Sequence, residues 1–194
     1  MGLSKQIVDI AASRPPLSSL DYQFIPLDII VHWPRCSLMA NSLAKNSAPF
    51  FENPKQQEAI LSTILNELLE NAVKFSSDKR APASMSMKNY GDFVIIEISN
   101  SILPEQMEKF IHFLDSLHQA ELVDAFIQIV ENNFSQNPRE GCQLGLLTLM
   151  KDYGVKIKIE PEEHDFLRPF LKTIQNQGNR VIVKAVYTPT NIIK

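Results

Sequence analysis

Glu67, Asn71 and Lys74 stand at intervals of four and three within the segment Leu65-Asn66-Glu67-Leu68-Leu69-Glu70-Asn71-Ala72-Val73-Lys74-Phe75-Ser76. Residues four apart on a helix are offset by only about 40°, so Glu67 and Asn71 point into one cleft, with Lys74 on the same side. A carboxylate and an amide oxygen are suitable ligands or water-orienting groups beside Mg²⁺, and an ammonium can offset phosphate charge. The same pattern also describes an ordinary solvated helix face.

The element that must position these groups is the clearest in the chain. Asn53-Pro54 is an N-cap residue followed by proline at the first helical position, and the helix runs to Phe75. Leu61, Ile64, Leu65, Leu68, Leu69 and Ala72 recur at spacings of three and four and form one buried face. Ser76, Ser77 and Asp78 end it. Upstream, the dense apolar run Tyr22 to Trp33 predicts a strand, which Pro26 and Pro34 make irregular or place on a sheet edge. A helix over Cys36 to Lys45 follows.

Ala83 to Lys88 and Phe93 to Ser99 predict a strand pair joined by a tight turn at Asn89-Tyr90-Gly91-Asp92. Pro104 opens a helix to about Gln119, and another spans about Leu122 to Phe134. Asn137, Pro138 and Gly141 read as a loop entering a helix over Leu144 to Tyr153 that Gly154 stops. Val155 to Glu160 and Arg180 to Tyr187 alternate as strands do. The expected fold class is α/β: a two-layer sandwich with a mixed β-sheet covered on one face by helices.

The segment around Asn71 closely resembles the N box of the GHKL (Bergerat-type) ATPases and kinases, which include the histidine-kinase-like ATPase domains. That resemblance implies ATP and Mg²⁺ as cofactors, with Asn71 holding the metal against the phosphates and Glu67 acting as general base. The family's next landmark is Asp-x-Gly-x-Gly after a strand. Here Asn100 of Asn100-Ser101-Ile102-Leu103-Pro104 takes the aspartate's place and both glycines are absent. An asparagine oxygen still accepts a hydrogen bond from an adenine amino group, although Asn100 serves equally as a turn residue before the helix. The third landmark, a glycine-rich helix start that cradles phosphate, corresponds to Gly141-Cys142-Gln143-Leu144-Gly145-Leu146, with Gln143 replacing the middle glycine. Cofactor binding is therefore expected at Asn71, Lys74, Asn100, Gly141, Leu144 and Gly145. A packed helix entry with Gly145 at a close contact is the alternative.

The pattern, including two apolar helices where histidine kinases carry a lid, looks most like the SiaB-type kinase branch. It implies a protein serine/threonine kinase acting on a STAS-domain partner in bacterial partner-switching signalling. A protein-interaction module that needs no nucleotide is the rival reading, and homodimerisation fits either.

At 194 residues and 44% hydrophobic content the chain suits one domain. Residues 1–21, interrupted by Arg14, Pro15 and Pro16, are expected as a flexible arm before a domain over 22–194. A net charge of −3 from 19 basic and 22 acidic residues leaves no nucleic-acid or anionic-membrane footprint. Two cysteines, the lack of a signal-like segment and the lack of a long apolar run point to a cytoplasmic protein. His32, His112, His118 and His164 show no metal-ligand spacing, and neither a P-loop nor a Gly-x-Ser-x-Gly elbow occurs.

Overall fold

The computed structural model describes residues 7, 11–119, 124, 127, 141–161 and 180–189. In chain order these form β1 (Ser18–Phe24), α1 (Pro26–Val31), α2 (Pro34–Ser47), a 3-10 turn at Ala48–Phe50, α3 (Pro54–Phe75), β2 (Ala83–Asn89), β3 (Val94–Ser101), α4 (Pro104–Gln119), α5 (Gly141–Tyr153), β4 (Lys156–Pro161) and β5 (Arg180–Tyr187). The strand order is β1-β2-β3-β5-β4, so β3 is central.

The α/β sandwich is observed, but all four strand pairings are antiparallel, where a mixed sheet was expected. The helical crossover from β3 to β4 does return the chain in the original direction. β5 then inserts between those two strands and makes both contacts antiparallel. The register settles which residues face the helices: Met85, Met87, Ile96, Ile98 and Ala185 are buried in the main core with α2, α3, α4 and α5. On the opposite face Glu97 and Lys184 are register partners and form an ion pair.

The run Tyr22 to Trp33 is not one strand. β1 is an edge strand that ends at Phe24, and Pro26 and Pro34 each start a helix. Proline's fixed φ suits the first helical turn, where a missing N–H costs nothing. The boundary expected after residue 21 falls inside β1, because Ser18 to Asp21 pair with β2. Further upstream, Ile7 and Ala11, together with Ile95, pack against the cluster of Tyr90, Phe93 and Val186. Arg14 donates to Tyr90 O at 3.1 Å, pairs with Asp92 and lies about 6 Å from the Tyr90 and Phe93 ring centroids. Thus the described part of the expected arm covers the outer face of the sheet.

α3 has the predicted bounds. Asn53 occupies the N-cap position without a side-chain cap bond, and its carbonyl accepts from Gln57 N at 3.0 Å. At the other end Lys79 Nζ donates to Val73 O and Lys74 O, each at 2.7 Å, which caps carbonyls that the helix leaves open. Burial there pushes the Lys79 amine's pKa down. Gly91 (φ +88°) makes the β2–β3 turn and Gly154 (φ +64°) stops α5, both as expected. The helix predicted over residues 122–134 lies outside the described residues apart from Asp124 and Ile127. Among the described residues, no helix is long and apolar enough to cross a membrane.

Tyr187 at the end of β5 donates its hydroxyl to Gln57 Oε1 at 2.8 Å, with both side chains buried. Tyr187→Phe leaves that amide oxygen buried without its donor. The expected loss is about 1–2 kcal/mol, read by urea unfolding; a change within about 0.3 kcal/mol would show that the bond is replaced at no cost.

Candidate functional site

Burial of the apolar stripe of α3 leaves its flank to carry the polar groups. Asn71 follows Leu68 by three residues and lines a cavity bounded by α3, β3, β5, α4 and α5. Asn100, at the end of β3, lines the same cavity and is 3% exposed. Every other side chain around it is apolar, Phe75, Phe110 and Leu146 among them. Two amides from separate elements are thereby brought to one cleft. Asn100 Nδ2 donates to Ser101 O at 2.9 Å, which leaves its oxygen as the group with acceptor capacity for another partner.

Two backbone ties set this arrangement. Ser77 N donates to Ser101 O and Asp78 N to Ser101 Oγ, both at 3.0 Å, which joins the end of α3 to the end of β3. Arg180 then donates to Ser99 Oγ at 2.8 Å and Pro82 O at 2.9 Å, which fixes β5 beside that junction.

Glu67 is half-buried, one turn before Asn71, and its carboxylate lies against the backbone of Gly145 in α5. Loss of water pushes its pKa up, the neighbouring Glu70 charge adds to the rise, and Lys74 opposes it. Cys36, fully buried on α2, feels the same surroundings. Desolvation first, then Glu70, push its thiol up to about 11, which makes it an inert packing group.

Lys74 donates to Glu70 Oε2 at 2.8 Å and its ammonium lies 5.6 Å from the Trp33 ring centroid. Glu70 Oε1 also accepts from Asn66 Nδ2 at 2.9 Å, and Asn66 Oδ1 accepts from Ser37 Oγ at 3.2 Å. Trp33, Ser37 and Asn66 are not among the site residues expected from the sequence, where Trp33 reads as the end of a strand.

Gly141 is the first residue of α5, so the helix begins three residues before the Leu144 start expected from sequence. Leu144 is half-buried in its first turns. Among the described residues, no three His, Cys, Asp or Glu side chains cluster as a metal site.

No protein-family model matches the sequence, and no curated protein matches it. Among solved structures, the chain is similar to one in the crystal structure of the SiaB-SiaC complex from Pseudomonas aeruginosa. The match covers 96% of this chain and 98% of that one, with a TM-score of 0.51 and 8% sequence identity. The likeness is one of fold. It extends over nearly the whole of both chains.

The raised Glu67 pKa has a consequence for stability. A carboxyl that binds its proton more tightly when folded contributes stability that is complete below its ordinary unfolded pKa and is lost as pH rises through the folded value. Glu67→Gln is therefore expected to narrow the loss of melting temperature between pH 4 and pH 8. Parallel pH profiles for the two proteins would place the Glu67 carboxyl in solvent.

Proposed function

We propose that this protein is a Mg²⁺-ATP-dependent serine/threonine kinase-like regulator of a STAS-type partner in bacterial partner-switching signalling. The observation that carries the reading is the half-buried Glu67 carboxyl, with raised proton affinity, one turn from Asn71 on the cavity that Asn100 also lines. The donor set suits the cofactor: amide oxygens for a hard cation and an adenine amino group, and free N–H groups at the start of α5 for phosphate. Bound Mg²⁺-ATP supplies the phosphoryl group for transfer. Asn71 would hold the metal and Asn100 the base, while the first turn of α5 from Gly141 offers backbone N–H groups and Lys74 a positive charge. Glu67 accepts the proton from the partner's hydroxyl, a task suited to a carboxylate whose pKa is raised.

A protein acceptor is supported by the exposed apolar side chains Ile30, Val31, Trp33 and Leu38 on α1 and the start of α2. Trp33 joins that surface to Lys74. The similar fold was also seen in a complex of two proteins.

One observation favours the rival reading, an interaction module that needs no nucleotide. The cavity measures about 30 Å³, room for about two waters, whereas ligand pockets hold roughly 300–1,000 Å³. Phe110 of α4 is part of its lining, so a purine enters only if that side chain moves aside.

Calorimetric titration with ATP, with and without Mg²⁺, separates the two. Micromolar, Mg²⁺-dependent binding that Asn71→Ala removes is the expected result, and Glu67→Ala should keep that binding while abolishing phosphoryl transfer. Phe110→Ala should tighten binding by relieving the obstruction. Absence of heat at millimolar ATP in the wild type and in Phe110→Ala alike would overturn the kinase reading in favour of the module.

A further inference from the structure

We propose that Gly145 is a positioning residue whose missing side chain forms the seat of the Glu67 carboxylate. The catalytic meaning of that seat rests on the reading of Glu67 as proton acceptor; the seat itself does not. A Cβ built on Gly145 would clash with Glu67 Oε2 and lie 3.1 Å from Glu67 Cδ. Glycine in a helix interior is disfavoured relative to alanine, so its presence there calls for a local reason. Backbone freedom is not that reason: among the described glycines, positive φ occurs at Gly91 and Gly154. Close approach of another group is, and the group is the Glu67 carboxylate.

The position of Gly145 within α5 also separates it from a phosphate-binding role. Only the first four N–H groups of a helix lack an intrahelical partner. α5 begins at Gly141, so within the helix those belong to residues 141–143 and the N–H of Gly145 is committed to the helix. The volume beside its Cα is filled by a carboxylate, the wrong charge for a phosphate cradle. The seat instead restricts the carboxylate of α3 against α5 before any hydroxyl arrives, so that little rotamer freedom remains to be lost on reaction.

A four-protein cycle tests this: wild type, Gly145→Ala, Glu67→Ala and the double variant, compared by melting temperature. Gly145→Ala is expected to lower the wild-type melting temperature by about 3 °C or more. In the Glu67→Ala background it should raise it, as alanine normally does in a helix. Stabilisation in both backgrounds means that the carboxylate swings aside freely and overturns the seat. If Gly145→Ala fails to fold, a double variant more stable than Glu67→Ala still establishes the seat, and a double variant that also fails shows that some other group crowds the position. Steady-state Mg²⁺-ATP hydrolysis adds a readout that packing alone would not give: kcat should fall with KM for ATP unchanged. A raised KM with kcat retained would assign Gly145 to phosphate and overturn the proposal. If the wild type neither binds nor hydrolyses ATP, the kinase reading fails while the melting cycle still decides the seat.

Discussion

The rotation of α3 about its own axis is set by burial of one apolar stripe, and the candidate residues take their positions from that rotation. Leu61, Ile64, Leu65 and Leu69 are wholly buried, and Leu68 and Ala72 nearly so. Truncating one such large aliphatic side chain costs about 2–5 kcal/mol. The exposed side of the same helix carries the Glu70–Lys74 pair, an i,i+4 interaction worth about 0.3–0.5 kcal/mol. The stripe therefore dictates the rotation and the polar groups follow. Asn71, at the margin of the stripe, meets the cavity. Glu67, farther round, meets α5.

Rotation alone would leave the helix free to slide, and two polar contacts oppose this at opposite ends. Near its start Gln57 accepts from Tyr187 of β5, and past its end Ser77 and Asp78 are tied to Ser101 of β3. Both ties are side-chain or backbone hydrogen bonds in partly or fully buried surroundings, where leaving a donor unpaired costs about 1–3 kcal/mol. Slippage by one helical turn would forfeit them together. Asn71 and Asn100 consequently share one cavity because the same strand end that carries Asn100 also anchors the helix that carries Asn71.

The parts legible in the sequence were those with a strong local period or a steric requirement. The α3 stripe, the Gly91 turn, the Gly154 stop and the alternation in β5 all emerged with nearly their observed bounds. Pro26 and Pro34 misled because proline serves both to break strands and to begin helices, and tertiary packing made that choice. The outer-face contacts of Ile7, Ala11 and Arg14 were hidden for another reason: their partners lie about eighty or more residues away along the chain. The antiparallel sense of the sheet depended on where β5 inserted, which no local pattern records. At the site, the spacing of Glu67 and Asn71 was visible and Gly145 was legible as a close contact, whereas its partner Glu67 lies on another helix and no local pattern joins the two.

The composition of the cavity wall bears on what the site is for. An amide in an otherwise apolar wall is a poor choice for stability, because burying it without full hydrogen bonding costs about 1–3 kcal/mol, while a leucine of similar size would gain from burial. Asn100 meets part of that cost by donating to the adjacent Ser101 carbonyl, which commits a donor and leaves acceptor capacity facing the cleft. A Glu67 carboxyl held where desolvation raises its pKa is likewise unfavourable at neutral pH. The amides of Asn71 and Asn100 face the cavity and the Glu67 carboxylate faces Gly145 of α5, so the two costs fall on neighbouring turns of α3 and on the strand end beside it.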